Sequence, residues 1–317
     1  MKFKKPEFWD YEKPNIFSYI LLPLTLIIRL SNLILNNYRP EKNIKIKTIC
    51  VGNIYVGGTG KTPTTIKLYN LVKKLKQKVV TAKKFYKQEK DEQLLLSKQT
   101  DVIIGKKRED IINLAIKKNK DVIIFDDGLQ DKTIDYDIKF VCFNSLEWIG
   151  NGKLLPSGPL REDINSLKKY DGIFIKGEDY IKTKKICKII KKIKPHIKIF
   201  FTHYVISNLR NLNVNEKYLL FSGIGSPNSL RVFLKKKKIK IVSEIIYPDH
   251  YEYKDSDIKK IILKAKQLKL KIITTQKDYV KIPKKFRNKI KFLKAELNIK
   301  NENDLSNFLK KKINEKN

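Results

Sequence analysis

A glycine-rich segment that ends in lysine and threonine shows the clearest chemistry in the sequence, which is the binding of phosphate groups. Gly57, Gly58 and Gly60 allow backbone N–H groups to turn towards an anion. Lys61 is placed to reach the β- and γ-phosphates of a nucleotide, and the Thr62 hydroxyl is the expected ligand of Mg²⁺. The pattern therefore predicts a P-loop that binds ATP together with Mg²⁺.

The residues expected to bind ATP form one run in the sequence. Tyr55 occupies the position at which the strict pattern has a glycine, so the segment matches the variant with two adjacent glycines. The β-branched alternation over residues 46–51 predicts a strand, and the apolar spacing over residues 64–75 predicts a helix. A P-loop requires this strand–loop–helix context. The run comprises Tyr55, Val56, Gly57, Gly58, Thr59, Gly60, Lys61 and Thr62.

Two acidic residues at the end of an apolar strand, Asp126 and Asp127, are the first candidates for binding the metal ion. In P-loop proteins, an acid at the tip of a neighbouring strand holds Mg²⁺ directly or through water. An Asp-Gly turn without a metal is the structural alternative. The sequence leaves open which of the two carboxylates contacts the metal.

Spacing alone assigns no role to four other polar residues. Asp91 and Glu92 fall in residues 83–93, a polar stretch that we predict to be a loop. His250 belongs to a Pro-Asp-His-Tyr loop, and a lone histidine is more often structural than catalytic. Arg161 follows a Pro-Ser-Gly-Pro turn, and it suits a phosphate, a carboxylate or a surface ion pair equally well.

Strands and helices alternate along most of the chain, which gives the expected fold class. This order predicts an α/β fold with the doubly wound parallel sheet of a P-loop NTPase and a second, smaller α/β domain. We expect an N-terminal region over residues 1–40, a P-loop domain over 41–205 and the smaller domain over 206–317.

An almost wholly apolar stretch over residues 16–28 precedes the P-loop. It is shorter than the roughly 20 residues of a spanning helix, and Pro23 interrupts it. We therefore predict a helix that lies in the membrane interface, with a helix packed on the P-loop domain as the alternative. The expected interfacial anchors and nearby cations are Trp9, Tyr11, Tyr19, Tyr38, Lys2, Lys4, Lys5 and Arg29.

The charge balance is strongly basic, with 69 lysines and arginines against 33 acidic residues and a net charge of +36. Such a balance usually indicates nucleic acid or an anionic membrane as partner. Only seven of the basic residues are arginine, on which specific base readout depends. We therefore expect no nucleic acid. The abundance of Lys, Ile and Asn fits a compositional drift of the whole genome that spreads lysines over solvated faces, and a general attraction to anionic lipid is compatible with it. The three cysteines are far apart and form no C-x-x-C pair, which argues against disulfides and zinc.

Together these motifs resemble the tetraacyldisaccharide 4′-kinases of lipid A biosynthesis, and the resemblance spans nearly the whole chain. Its most specific parts are Asp-Asp-Gly-Leu-Gln over residues 126–130 and the Gly/Pro-rich stretch over 150–162. Matching motifs also occur at Phe8-Trp9, Leu22-Pro23-Leu24, Val51-Gly-Asn53, Gly57 to Pro63, Asp91-Glu92, Gly223-Ile-Gly225, Asp249-His250 and Thr274 to Asp278.

The resemblance implies an enzyme bound peripherally, through its N-terminal helix, to the cytoplasmic face of the bacterial inner membrane. It would transfer the γ-phosphoryl group of ATP to the 4′-hydroxyl of tetraacyldisaccharide 1-phosphate, an anionic lipid, and give lipid IVA. Asp91 would accept the hydroxyl proton, and His250 would arrive from the smaller domain when the domains close. The implied roles are catalysis for Asp91, His250 and Lys61, Mg²⁺ binding for Thr62 and Asp126 or Asp127 with Glu92 beside them, and substrate binding for Arg161, Asn53 and Gln130.

The sequence departs from the family pattern mainly after the second predicted strand. Residues 81–87 are Thr-Ala-Lys-Lys-Phe-Tyr-Lys, where the family has Ser-Arg-Gly-Tyr-Gly-Arg. Lys83 or Lys84 could supply positive charge there, but not the bidentate geometry of arginine. Elsewhere Asp131 replaces a histidine, Lys90 a glycine and Gln276 a glutamate.

Two other classes of protein share part of this pattern. Membrane-associated regulatory ATPases of the MinD/ParA type have the doubled glycine, but they usually carry a lysine where this chain has Val56. They also lack the stretch over residues 150–162. A basic nucleic-acid-binding protein would bind DNA in a salt-dependent way without ATP turnover.

Overall fold

Strand β1, Lys47–Gly52, leads into the glycine-rich segment, as the β-branched alternation predicts. The structure is a computed structural model that describes residues 5–37, 45–86, 90–177, 179–209, 212–213 and 215–315. The described residues also form strands β2 (Val79–Lys84), β3 (Val102–Gly105), β4 (Val122–Asp126), β5 (Ile138–Asn144), β6 (Gly172–Lys176), β7 (Lys198–Ile206), β8 (Lys217–Ser222), β9 (Lys240–Ile246), β10 (Lys271–Thr275), β11 (Ile290–Leu293) and β12 (Ala295–Ile299).

Helices separate most of these strands along the chain. Their apolar faces repeat at helical spacing, as expected for helices that cover a sheet. They are α1 (Ile16–Ile20), α2 (Thr25–Asn37), α3 (Lys61–Lys74), α4 (Lys90–Gln99), α5 (Arg108–Lys117), α6 (Tyr180–Ile193), α7 (Pro227–Lys236), α8 (Asp255–Gln267), α9 (Gln276–Tyr279) and α10 (Glu302–Asn314), with 3₁₀ turns at Glu7–Asp10, Leu22–Leu24, Ile164–Lys169 and Lys284–Lys289.

The larger sheet has the strand order β12-β7-β6-β5-β1-β4-β2-β3. Its strands from β7 to β3 pair in parallel, and β1 lies between β5 and β4. One face packs against apolar residues of α5 and α6, and the other against those of α3 and α10. The predicted doubly wound parallel sheet is confirmed. In such sheets, ligands bind beyond the carboxyl ends of the strands, where the glycine-rich segment begins.

The described chain divides into two units whose ranges differ from the predicted domains. The larger unit falls within residues 3–85, 99–203 and 299–317, and the smaller unit within 86–98 and 204–298. The sequence therefore enters the smaller unit twice. The C-terminal helix belongs to the larger unit because Leu305, Leu309 and Ile313 of α10 are buried in its core.

The smaller unit contains a second parallel sheet, with the order β11-β10-β8-β9. Leu219 and Phe221 of β8 pack with Ile258 and Ile261 of α8 in its core. This sheet confirms the predicted second α/β domain. Most of α4, which comes earlier in the sequence, belongs to the same unit.

The N-terminal segment is interrupted at Pro23, between α1 and α2, as the sequence predicts. Trp9 is buried, and its indole N–H donates to the Pro156 carbonyl at 3.0 Å. The prediction that Trp9 anchors the protein in the membrane interface is therefore wrong, because a tryptophan fixed inside the fold cannot reach lipid. Tyr11 and Tyr19 are exposed, whereas Tyr38, Lys2 and Lys4 lie outside the described residues. Across the described chain, no helix combines the length and apolar character needed to cross a bilayer.

Candidate active site

The glycine-rich loop passes from β1 to α3 with two glycines in unusual backbone conformations. Gly57 has a φ of +151° and Gly60, the N-cap of α3, a φ of +90°, which residues with a Cβ rarely adopt. Lys61 and Thr62 form the first turn of α3, where unpaired backbone N–H groups and the helix dipole attract anions. The loop therefore has the geometry of a phosphate site.

The side chain of Asn53 stabilises this loop through hydrogen bonds. Its side-chain amide contacts the Gly57 carbonyl at 3.3 Å, the Thr59 hydroxyl at 3.1 Å and the Tyr55 carbonyl at 2.5 Å. The side chain is fully buried. The amide nitrogen of Asn53 is therefore directed into the loop, and its predicted role in substrate binding stays a prediction.

The first two residues of the predicted ATP-binding run face other parts of the larger unit. The Tyr55 hydroxyl bonds to the Asp10 carboxylate and to Lys5, and the ring is buried. The Val56 N–H donates to the Pro159 carbonyl at 2.9 Å. These two groups are occupied, so the phosphate-binding part of the run begins after them.

Asp126 lies at the end of β4 and accepts hydrogen bonds from two threonine hydroxyl groups of α3. Thr62 donates its hydroxyl proton to Asp126 Oδ2 at 2.9 Å, and Thr65 donates to Oδ1 at 3.1 Å. The buried ammonium group of Lys83 is 2.9 Å from the same Oδ2 atom. Asp126 therefore orients the helix residue that is expected to bind the metal.

Asp127 is the acid that faces the cations of the site. Its φ of +59° is unusual for a residue other than glycine, and Arg108 stabilises this bend by donating to the Asp127 carbonyl at 2.8 Å. The Asp127 carboxylate lies 3.3 Å from Lys61 Nζ and 3.5 Å from Arg161 Nη1. The two neighbouring acids thus have different surroundings.

Gln130 fixes the position of Arg161. The Gln130 amide N–H₂ group donates to the Asn53 carbonyl at 2.8 Å and to Glu162 at 3.1 Å, while its oxygen accepts from Arg161 at 3.1 Å. Both ends of the Gln130 amide thus have partners within the larger unit, and its predicted contact with the substrate stays a prediction. Arg161 is partly exposed, so its guanidinium can reach an anion.

The oxygen atoms around Thr62 suit Mg²⁺. Because Thr62 donates its proton to Asp126, the lone pairs of its hydroxyl oxygen are available to a cation. In the part of the chain that the structure describes, no group of three or more His, Cys, Asp or Glu side chains could hold a metal by itself. Mg²⁺ is commonly bound by one or two protein groups, substrate phosphates and water.

Asp91 and His250 meet in the smaller unit. Asp91 lies in the first turn of α4 rather than in the predicted loop, since acidic residues stabilise the start of a helix. His250 Nδ1 is 2.8 Å from Asp91 Oδ1, and Asp91 is buried. Both residues belong to the same unit, so the prediction that they lie in different domains is wrong.

Two lysines that the sequence analysis missed surround Asp91. Lys277 Nζ lies 3.5 Å from Asp91, 3.3 Å from Glu92 and 3.1 Å from Asp249. Lys281 Nζ is 3.6 Å from Asp91. Lys277 belongs to the Thr274 to Asp278 motif, but only the fold reveals which acids it approaches. Glu92 lies 3.3 Å from Lys277 Nζ and 3.8 Å from His250 Nε2, and its predicted role beside the metal stays a prediction.

Asp278 anchors this basic cluster in the smaller unit. It is completely buried and accepts from the Gly223 N–H at 3.1 Å, the Thr275 hydroxyl at 2.8 Å and the Tyr253 hydroxyl at 3.1 Å. It also pairs with Lys281 at 2.8 Å. These bonds fix the short helix α9, and therefore the direction of Lys277.

The surroundings of Asp91 favour its ionised form. Burial disfavours the charge, but the hydrogen bond from His250 and the charge of Lys277 lower the pKa of Asp91 to about 2. Burial also lowers the pKa of His250, yet the Asp91 hydrogen bond outweighs it and the pKa rises above the usual value. Burial lowers the pKa of Lys277, but the negative charges of Glu92 and Asp249 outweigh this effect and raise the pKa above its usual value. At neutral pH, Asp91 is therefore a carboxylate.

Comparisons with known proteins agree with these features. The family model described as tetraacyldisaccharide-1-P 4′-kinase matches residues 17–314. The chain is 48% identical to a tetraacyldisaccharide 4′-kinase from Pelagibacter ubique, with 100% of both chains covered. It is 33% identical to one from Rickettsia typhi, covering 98% of this chain and 99% of the relative. A crystal structure of LpxK from Aquifex aeolicus in complex with ATP shares the fold, with a TM-score of 0.68, 20% identity and coverage of 94% and 100%.

Proposed function

The chain belongs to the tetraacyldisaccharide-1-P 4′-kinase family, and from this premise we propose how its residues divide the work of phosphoryl transfer. ATP donates its γ-phosphoryl group, and the 4′-hydroxyl of tetraacyldisaccharide 1-phosphate accepts it, which gives lipid IVA in lipid A biosynthesis. Such a transfer depends mainly on the positioning of the two substrates and on the neutralisation of charge.

The P-loop residues bind and neutralise the phosphate donor. The N–H groups of residues 57–62 surround the phosphates, and Lys61 contacts the β- and γ-phosphoryl oxygens. Thr62 and Asp127 would hold Mg²⁺, which would supply positive charge to neutralise the phosphates. Arg161, directed by Gln130, is a second cation for the transferred group or for the substrate phosphate.

Asp91 accepts the proton of the attacking hydroxyl. The observation that carries this assignment is the 2.8 Å contact between His250 Nδ1 and Asp91 Oδ1, which leaves Asp91 ionised and fixed in direction. A carboxylate with a pKa of about 2 takes the proton late, when bond formation has made the hydroxyl acidic. His250 and Lys277 position this carboxylate.

The N-terminal helices contact the membrane that contains the lipid substrate. Ile16, Ile20, Ile27 and Ile34 are between 65% and 71% exposed, which is unusual for so many neighbouring isoleucines in a folded protein. Such an apolar surface on short helices suits insertion into the interface, and the net charge of +36 favours anionic lipid. The proposed location is the cytoplasmic face of the bacterial inner membrane.

The position of the new phosphate tests this function. The protein is incubated with ATP, Mg²⁺ and the tetraacyldisaccharide 1-phosphate in detergent, and the product is fragmented in a mass spectrometer. One added phosphate on the distal glucosamine is expected. A second phosphate on the sugar that already carries one would contradict the proposal.

A further inference from the structure

Lys83 is a buried lysine in the stretch where the sequence departs from its family. It lies near the end of β2, and in the parallel pairing of β2 with β4 it is directly opposite Asp126. Partners in register on adjacent strands point to the same side of a sheet, so the two side chains meet. They are 1% and 0% exposed, and Lys83 Nζ is 2.9 Å from Asp126 Oδ2.

This ion pair forms part of a hydrogen-bond network that reaches the P-loop. Oδ2 of Asp126 accepts from both Lys83 and Thr62, while Oδ1 accepts from Thr65. Thr62 can donate its single proton in one direction only, and the network directs that proton towards Asp126. The lone pairs of the Thr62 oxygen then face away from Asp126.

The positive charge of Lys83 also limits the attraction of Asp126 for other cations. A buried carboxylate without a partner would attract any available cation, whereas a paired one is neutralised locally. Asp127, the neighbouring acid, lies beside Lys61 and Arg161 of the phosphate site. The protein thus separates the two acids into one that is neutralised within the core and one directed to the phosphate site.

We propose that Lys83 is a positioning residue for Mg²⁺: it fixes Asp126 as the acceptor that orients Thr62, and it leaves Asp127 as the carboxylate that faces the metal. This inference rests on the proposed function, because it requires Mg²⁺ to bind together with ATP. It gives Lys83, which lies in the stretch that departs from the family pattern, a role in the metal site.

The test measures ATP affinity by titration calorimetry, once with Mg²⁺ and once with EDTA. Lys83→Met removes the charge at nearly constant length, and Lys83→Arg restores a cation. Lys120→Met is the matched control, because Lys120 also pairs with an aspartate, Asp101, but in a more exposed position. The melting temperature of each variant is recorded, so that a loss of fold is recognised.

The proposal predicts that Lys83→Met loses tenfold or more of the ATP affinity that Mg²⁺ adds, while ATP affinity in EDTA remains within twofold of the unmodified protein. Lys83→Arg should recover most of the Mg²⁺-dependent gain, and Lys120→Met should keep all of it. An unchanged gain in Lys83→Met, or an equal loss with and without Mg²⁺, would overturn the positioning role. No ATP binding by the unmodified protein would instead overturn the proposed function.

Discussion

Asp91 and His250 are 159 residues apart in the sequence, yet His250 Nδ1 lies 2.8 Å from Asp91 Oδ1 within the smaller unit. The pairing is possible because the chain enters this unit early, through α4, and returns to it near the end of β7. His250 has a φ of +58°, which places its ring at a sharp bend directly after Asp249. Lys277 then neutralises the carboxylates around the pair.

Asp91→Asn should abolish most of the turnover and leave ATP binding intact. The amide preserves the size of the side chain but cannot accept a proton, and a general base contributes about 10²–10⁴-fold to such reactions. Turnover is measured from lipid product and ATP affinity by calorimetry. Asp255→Asn, at an exposed aspartate of α8, is the control and should keep full activity. Full activity in Asp91→Asn would remove Asp91 from the mechanism.

The pKa of His250 should move in opposite directions in two variants. The Asp91 carboxylate raises this pKa, so Asp91→Asn should lower it. The Lys277 charge lowers it, so Lys277→Met should raise it. NMR titration of the imidazole signals measures both shifts, with the resonances of His196 and His203 as internal controls. Shifts of the same sign in both variants would contradict the arrangement of charges around His250.

Lys61→Met should weaken ATP binding, and it should also reduce turnover. A hydrogen bond to a charged group contributes about 1.5–3 kcal/mol, so the Kd for ATP should rise by about 10–100-fold. Lys67 lies on the same helix and pairs with Glu302, so Lys67→Met is the matched control. Equal ATP affinities for the two variants would show that Lys61 does not contact the phosphates.

Ile20→Asp and Ile27→Asp should each reduce binding to vesicles of phosphatidylethanolamine and phosphatidylglycerol. Burial of an isoleucine side chain contributes about 1.5–3 kcal/mol, so a roughly tenfold or larger loss of vesicle affinity is expected. Leu263→Asp replaces a similarly exposed apolar residue on α8, at 58% exposure, and should bind as before. Sedimentation with vesicles measures the bound fraction. Unchanged sedimentation of both isoleucine variants would disprove the interfacial surface.

Point substitutions are preferable to deletion of the N-terminal segment. Trp9 is buried against the loop over residues 150–161, and Asn151 donates to the Ser18 hydroxyl at 2.9 Å. Asn32 donates to the Arg161 carbonyl at 3.1 Å. A truncated protein would therefore lose support for the active-site loop as well as its apolar surface, and the two effects could not be separated.

The sequence predicts best what depends on local pattern. The alternation before the P-loop and the periodicity after it place β1 and α3 almost correctly, at Lys47–Gly52 and Lys61–Lys74. The polar surroundings of Asp91 predict a loop, but polar residues also occur in the first turn of a helix, where Asp91 lies. The sequence predicts Trp9 as a lipid anchor because nothing in it shows that the Pro156 carbonyl accepts the indole N–H.

Partners that meet through tertiary structure could not be predicted. Lys83 and Lys277 are two among many lysines, and only the register of β2 with β4 or the fold of the smaller unit selects their acids. Asp131 stands where the family has a histidine, and in the fold it pairs with the buried Arg108. Motifs therefore identified the type of chemistry, and the fold identified the residues that support it.

The most direct test of the central claim follows a radiolabel from the γ-phosphate of ATP. The protein is incubated with labelled ATP, Mg²⁺ and tetraacyldisaccharide 1-phosphate in detergent, and the lipids are separated by thin-layer chromatography. We expect label in a lipid that carries two phosphates, and a strongly reduced signal with Asp91→Asn. Release of labelled inorganic phosphate without a labelled lipid would contradict the account.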